Sequence, residues 1–409
     1  MTMGTFDENL LRMMHFLCSQ KHYMNPKQIS KGFKLSDKTV AEKTVRLWFK
    51  FLHGHRFDYF LKPYYESLGL SPVFVVCNLN EDMLKIFPQR TSIVVGNDAH
   101  RLEPVMKFLY VLPPHSLHDF RSLWEKAKSL GLVDYFEIFP IKTPFTFYSP
   151  FHKLLNKSGK INFPEKAENE IDNTYFMKNF KFYLTKELKP KIHELVEADP
   201  LTIPIIMEHV REHHSSKGMW FAMKKSLGDN IWDYVQRRGV SNKKGDGVGI
   251  RLVQQTLRDL HNNFESFFVQ PAVVYYPFYH GESVIFYLFV KLKNYKDLPE
   301  LANKISECSL STTVYPPTKG SVVGFHVITN RQQSHKIIGE IIQHYIDKTW
   351  KSKIIFEDFL KCQKYWSKNS VYWKKYYMKS AYPQLFNPKT IEWKFDKSGY
   401  ETMLERIAK

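Results

Sequence analysis

Hydrophobic and polar positions along this chain change period several times, and the changes come in the same order twice. Residues 7–19 (DENLLRMMHFLCS) put Leu10, Leu11, Met14, Leu17 and Cys18 on one face at helical spacing, with Asp7 as the cap. Asn25-Pro26 opens a second short helix, and Gly32 suits a left-handed end to it. A third helix is predicted from the cap Ser36 to Leu52. Val40, Leu47, Trp48 and Phe51 lie on one side of it, and Lys38, Thr39, Glu42, Lys43, Arg46 and Lys50 on the other. The stretch HGHRFDYFLKPYYESLGL reads as a wing or a connecting helix. Apolar runs bounded by Gly, Pro and Asn then predict strands in SPVFVVCNL, TSIVVGND, EPVMKFLYVLPP and VDYFEIFPIK, with helices in NEDMLKIFPQ and HSLHDFRSLWEKAKSLGL. The latter helix packs through Leu117, Phe120, Leu123, Trp124 and Ala127.

From about Pro200 the order returns. GVGIRLVQQTLRDLHNNF carries Leu252, Val253, Leu257, Leu260 and Phe264 on one stripe and Arg251, Gln254, Gln255, Arg258 and Asn262 on the other. ESVIFYLFVKL, KDLPELANKISEC, LSTTVYPPT, GSVVGFHVIT, RQQSHKIIGEIIQHYIDK and SKIIFEDFL repeat the strand and helix types of the first pass. The fold class expected is α+β: two winged helix-turn-helix-like segments, each followed by a ferredoxin-like βαββαβ domain. The divisions fall at residues 1–64 and 65–150 for the first pair, and 151–195 for a charged linker and bracing helix. Residues 196–280 and 281–362 form the second pair, and 363–409 an aromatic, basic extension. A free strand edge or bare sheet face lets the two copies meet within one chain, as a pseudo-dimer.

Composition narrows the partners. Hydrophobic residues make up 43% and aromatics 15%, enough for sizeable cores, which excludes a disordered chain. Lys and Arg number 59 against 41 Asp and Glu, a net charge of +18, and this surplus favours polyanionic partners. The cysteines Cys18, Cys77, Cys308 and Cys362 stand far apart with no C-x-x-C pair. That spacing excludes a zinc ribbon and a disulfide framework and fits a reducing compartment. The longest strongly apolar run, Val284 to Val290, is too short for a membrane helix, and MTMGTFDENLL lacks a basic stretch followed by an apolar one. A cytoplasmic protein with no membrane partner is expected.

The helix at Leu35 to Leu47, behind a short helix and a turn, has the layout of a DNA-reading helix. Arg46 and Lys43 suit guanine edges, Lys38 and Lys50 suit phosphates, and Thr39 and Arg56 extend the same surface. In the second copy Arg251, Gln254, Gln255 and Arg258 form a base-reading set, with Lys243 and Lys244 toward the backbone. The two-helix lead-in, LSDKTVAEKTVRL and a βαββαβ module together resemble the Lrp/AsnC (feast/famine) transcription regulators. That resemblance implies a winged helix-turn-helix joined to an αβ-sandwich that pairs with its twin and binds an amino acid or similar effector. This chain departs from the family in being double, and in an insertion around SSKGMWFAMKKSLGDN. The expectation is a sequence-specific double-stranded DNA-binding regulator, with a small-molecule effector and a homodimer as further partners. No cofactor, no catalytic or metal-binding residue and no enzyme activity are expected. The alternative is an RNA- or single-strand-binding protein that uses the sheet faces and the aromatic segment CQKYWSKNSVYWKKYYMKSAYPQLF. That segment reads first as an amphipathic cover for a core, with a fainter counterpart in TPFTFYSPFHKLLNKSGKINF.

His209, Glu212 and His213 have the H-x-x-E-H spacing of inverted zinc peptidases, but no third ligand follows. His115 and His118 read as helix-mouth residues. Glu357, Asp358 and Lys361 hint at nuclease carboxylates but read as a solvated strand end. Gly245, Gly247 and Gly249 have the wrong spacing for a nucleotide loop.

Overall fold

The computed structural model describes residues 8–20, 24–54, 57–80, 92–99, 103–155, 173–186, 190–199, 201–210, 216–237, 245–262, 268–275, 283–358, 384–387 and 390–409. The first helix, Glu8–Cys18, buries Leu10, Leu11, Met13, Met14, Leu17 and Cys18, as its periodicity requires. Asn25 and Gln28 form a reciprocal capping box on the helix Pro26–Gly32. Gly32 does not end that helix left-handed; Phe33 does so in extended conformation. A Cβ at position 32 would lie 3.2 Å from the Met24 methyl, so the small residue fits closely there.

The third helix is shorter than expected and begins at Glu42, running to Gly54. Ser36 is no cap. It and Asp37 have positive φ angles of 47° and 64° and turn the chain between strands β1 (Lys34–Leu35) and β2 (Lys38–Thr39). Two positive φ values in a two-residue loop match the twist of a hairpin, and Asp tolerates that region. Lys38 and Thr39 therefore leave the helix, while Lys43, Arg46 and Lys50 stay on its exposed face.

Beyond this unit, β3 (Phe57–Pro63) is neither a wing nor a helix. It pairs with β9 (Phe268–Tyr275), the strand at the same place in the second copy, so the two copies are clasped by a shared ribbon. The first sheet set is β4 (Ser71–Asn78), β5 (Ser92–Asp98), β6 (Pro104–Leu112) and β7 (Phe136–Pro140). The second is β10 (Ser283–Lys291), β11 (Ser311–Tyr315), β12 (Val322–Asn330) and β13 (Lys353–Glu357). With β8 (Phe145–Tyr148) they form one nine-stranded antiparallel sheet in the order β7-β4-β6-β5-β13-β10-β12-β11-β8. Each half has its own chain order 4-1-3-2, and β5 pairs with β13 at the seam. The first copy's expected helix NEDMLKIFPQ lies, but for Asn80, outside the described residues.

The sheet curls until its two halves face each other. Ile141 bridges Pro317, and the Lys142 N–H donates to the Pro316 carbonyl, so the β7 end meets the β11–β12 turn. Inside the curl Phe139 stacks on Phe289 at 4.7 Å, and Phe74 meets Tyr315 edge-on at 4.4 Å. The outer face of the second half is covered by the helix Leu298–Glu307, which buries Leu298, Leu301, Ala302 and Ile305. The outer face of the first half packs against Leu117–Ser129 through Phe120, Leu123, Trp124 and Ala127.

Segments after each half cross to the other. β8 and the helix Thr174–Thr185 follow the first half but pack on the second, where Asn173 donates to the Ser306 hydroxyl at 2.7 Å. The ribbon of β14 (Gln384–Asn387) and β15 (Glu392–Phe395) and the helix Lys397–Ala408 follow the second half. They pack on the first half: Lys397 pairs with Asp119 at 3.0 Å, Lys126 with Glu405 at 2.6 Å, and Trp393 donates to the Leu68 carbonyl. The expected bracing helix is thus Thr174–Thr185. The aromatic tail falls mostly in 359–383, outside the described residues. Among the described residues, no helix is long and apolar enough to cross a membrane.

Two tests follow from this architecture. A Cβ on Gly96 would sit 2.4 Å from the Phe356 carbonyl oxygen at the seam. Gly96→Ala is expected to cost about 2–3 kcal/mol in urea unfolding, and an unchanged midpoint would show that the seam yields. The second test concerns His15, whose pKa burial lowers to about 4, with His152 acting the same way. A base whose folded pKa is depressed binds fewer protons folded than unfolded, so stability falls as pH drops from 6.5 through 4. In His15→Phe the loss between pH 7 and about 4.5 should shrink by up to about 3 kcal/mol, measured as urea midpoints at both pH values.

Candidate functional site

A strand in a closed sheet presents alternate side chains to two faces, and here the two faces differ in chemistry. The outer face of the second half is largely apolar: Phe286, Leu288, Val314, Phe325, Val327 and Ile354 all lie in one core, with Thr312 and Thr329 buried among them. The inner face of the same strands carries a polar row. Register places Thr146 (β8), Thr313 (β11), His326 (β12), Tyr287 (β10), Ile355 (β13) and Asp98 (β5) directly opposite one another across six strands.

Contacts along the row are close. The Thr146 and Thr313 hydroxyls share a hydrogen bond of 2.7 Å. His326 stacks on Tyr287 with ring centres 4.4 Å apart and planes 16° apart. From the first half, Lys107 reaches across the interior and holds its ammonium 3.8 Å above the Tyr287 ring and 4.7 Å from that of Phe74. Glu357, its side chain 3% exposed, has an oxygen 3.8 Å from His326 Nε2. Lys353 bonds Glu137 of the opposite half. At the β8 end, Lys62 donates to the Thr146 hydroxyl.

The electrostatics follow from burial. Desolvation pushes the His326 pKa below the ordinary imidazole range; Glu357 pulls it up, and Lys107 and Lys62 push it further down. Desolvation likewise takes Lys62 down to about 7, with the Cys18 thiol opposing the shift. Tyr315 is driven far up by burial and by the Glu357 charge. A neutral imidazole stacked on a phenol ring and beside a carboxylate can accept one proton and hold it against Glu357.

The residues expected from sequence lie elsewhere. Lys43, Arg46 and Lys50 are exposed on the helix Glu42–Gly54, where Arg46 is held by Glu42 at 2.5 Å. Arg251, Gln254, Gln255 and Arg258 form the predicted exposed stripe of the helix Asp246–Asn262, whose Leu252, Val253 and Leu260 are buried. Arg251 donates to the Gly247 carbonyl at 3.2 Å. Arg56, Lys243, Lys244, Glu212 and His213 lie outside the described residues. Gly249 is a packing residue, since a Cβ there would fall 2.3 Å from the Trp220 ring. The insertion around SSKGMWFAMKKSLGDN supplies that buried tryptophan from the helix Ser216–Leu227. Among the described residues, no cluster of His, Cys, Asp and Glu could hold a metal ion.

Sequence reading passed over Lys62, Lys107, Tyr287 and His326, and took Glu357 for surface. The signal was present: Lys107 interrupts VMKFLYVL and His326 interrupts VVGFHVIT, both otherwise apolar strands. A titratable residue in such a run is rarely buried without a partner or a task.

No family model matches the chain, and no curated protein matches it. Solved structures that match include the crystal structure of the siroheme decarboxylase NirDL, with a TM-score of 0.38 and 11% identity over 90% of this chain and 100% of that one. NirDL in co-complex with an iron-uroporphyrin III analogue matches with a TM-score of 0.37 and 10% identity, over 89% and 99%. These findings correct the reading as an Lrp/AsnC-type DNA-binding transcription regulator: no regulator family model matches, and the matching structures are of an enzyme. The alternative of nucleic acid stacked on bare sheet faces is corrected as well, because those faces are buried against each other.

The His326–Glu357 pair provides a test of what the row is for. His326→Phe alone leaves the buried Glu357 carboxylate without its polar neighbour and should cost about 1–3 kcal/mol. Adding Glu357→Met removes that charge, and the double variant should regain wild-type stability or exceed it in a double-mutant cycle read by urea unfolding. A double variant as unstable as the single one would make the pair a structural element.

Proposed function

We propose that the chain binds a small carboxylate-bearing molecule between its two half-sheets. Lys107 and Lys62 are its cationic contacts, the Tyr287–His326 stack is its floor, and the His326–Glu357 pair holds or passes one proton beside it. One observation carries this reading: the same strands are largely apolar on their outer face, where Thr312 and Thr329 are the polar members, and bear a titratable row on their inner face. A core needs no such row, because apolar residues of similar volume pack as well or better. Buried titratable groups that push one another's pKa values apart mark sites of binding and proton transfer. We read each half as a ferredoxin-like module whose sheet face became the wall of this interior.

Benzoate, citrate and uroporphyrin are suitable probes, three carboxylates of increasing size and charge, with benzamide as the neutral control. At millimolar concentration at least one carboxylate should raise the melting temperature and benzamide should not, since a ligand of the native state stabilises it by mass action. Lys107→Gln should abolish the shift while keeping the wild-type circular dichroism spectrum. The reading is wrong if no carboxylate moves the transition, or if the shift survives in Lys107→Gln.

A further inference from the structure

We infer that the chain docks on an anionic lipid surface, with Leu47, Phe182 and Phe221 as apolar insertion points and the lysines beside them as contacts to headgroups. Among the described residues, the large hydrophobic side chains left exposed are Leu47 (58%), Phe182 (64%) and Phe221 (42%). A single apolar side chain in water is ordinary and needs no explanation. These three, however, stand in the same surroundings.

Each is on a helix, with one lysine a turn before it and another a turn after. On the helix Glu42–Gly54 the set is Lys43, Leu47 and Lys50. On Thr174–Thr185 and its cap it is Lys178, Phe182 and Lys186, and on Ser216–Leu227 it is Lys217, Phe221 and Lys224. Spacings of three and four put the members of each set on one helix face. Five of these lysines are exposed, and the sixth, Lys186, holds its ammonium 5.9 Å from the centre of the Phe182 ring. Lys224 also pairs with Asp246 at 2.9 Å, and both side chains stay partly exposed. The opposite faces of the three helices are accounted for by packing: they bury Val45 and Leu52, Phe176 and Phe180, and Met219 and Met223. Two of the helices, Glu42–Gly54 and Thr174–Thr185, close the same core.

This combination fits a bilayer better than another polyanion. A lysine stem lies along apolar surface while its ammonium reaches for water or phosphate, so lysines on both sides let the residue between them enter the headgroup layer. Anionic lipid supplies the opposite charge. Duplex nucleic acid offers phosphates to the lysines but no apolar layer to Leu47, Phe182 and Phe221. Arg46, the residue on the Leu47 face best suited to a base edge, is held by Glu42 through two of its nitrogens. Docking of this kind is peripheral, and short apolar runs that rule out a spanning helix do not bear on it.

The experiment sediments the intact chain with vesicles of phosphatidylcholine containing about a third phosphatidylserine, and with phosphatidylcholine alone. The chain should pellet with the first and stay in solution with the second, and pelleting should weaken as salt rises from about 50 to about 500 mM. Leu47→Ser, Phe182→Ser and Phe221→Ser should each lower the affinity by roughly three- to tenfold. The triple variant should remain in the supernatant while keeping the wild-type urea midpoint, because all three side chains are exposed. No pelleting with the anionic vesicles, equal pelleting with both kinds, or wild-type binding by the triple variant overturns the inference. So does a duplex oligonucleotide that strips the chain from vesicles and binds the triple variant as well as the wild type, which would assign the lysines to nucleic acid. None of these variants touches the proposed carboxylate site, so the two readings fail independently.

Discussion

Closure of the two half-sheets onto each other is the constraint on which the rest of the molecule depends. A four-stranded antiparallel sheet with helices on one face leaves its other face bare, and a bare apolar face is not stable in water. Here each half covers the other. Phe74 and Phe139 from the first half meet Phe289, Tyr287 and Tyr315 from the second, and each aromatic pair adds on the order of 1 kcal/mol beyond its buried area. The seam between β5 and β13 then turns two sheets into one and hides an edge of each. Gly96 sits where the two edges come nearest, and glycine lets them close.

Closure alone would leave two halves free to rock about the seam. The exchanged segments prevent that, because each half is held by chain that belongs in sequence to the other. β8 covers the β11 edge of the second half, and the C-terminal helix lies on the Leu117–Ser129 helix of the first. The β3–β9 ribbon joins the two helical units in the same reciprocal manner. Such an exchange fixes the register between the halves, which matters because the row across β8, β11, β12, β10, β13 and β5 exists only when that register holds. Lys107 reaching Tyr287 and Lys353 reaching Glu137 are contacts between halves, and a slip of one residue would break both.

Much of this was legible in the chain and some was not, for physical reasons. The described strands of both sheet halves and the helices Leu117–Ser129 and Leu298–Glu307 read correctly, because alternation and helical periodicity are local. TSIVVGND, GSVVGFHVIT and SKIIFEDFL fall on β5, β12 and β13. The Ser36 cap did not read correctly: a Ser-Asp pair suits a helix start as well as a tight turn, and only its positive φ angles decide. Non-local pairings were illegible. Nothing in FDYFLKP says that its partner is FVQPAVVY, more than 200 residues away. The site was illegible for the same reason, since its members come from β3, β6, β8, β10, β11, β12 and β13 and meet only after closure. Exposed basic helices drew attention because charge on a helix face is easy to see. Lys107 and His326 were hidden by the apolar runs around them.

Those hidden residues are the hardest to explain by folding alone. Desolvating an ammonium, an imidazole and a carboxylate costs several kcal/mol each unless they find partners, and the same volume could hold leucines. The molecule has the means to avoid this cost, because the opposite face of the same strands carries Phe286, Leu288, Phe325 and Val327 with no charged side chain in their core. Fold specificity is a weak reason to keep the charges, since exchanged segments and the Gly96 seam already fix the arrangement. The proposed ligand site gives the charges a task in a buried interior. There a cation attracts an anion far more strongly than in water, and an imidazole next to a carboxylate can hold a proton in place. The two half-sheets bury Lys107, Tyr287 and Tyr315 between them, and the exchanged segments pack on both halves. The row supplies the groups for which a closed interior is useful.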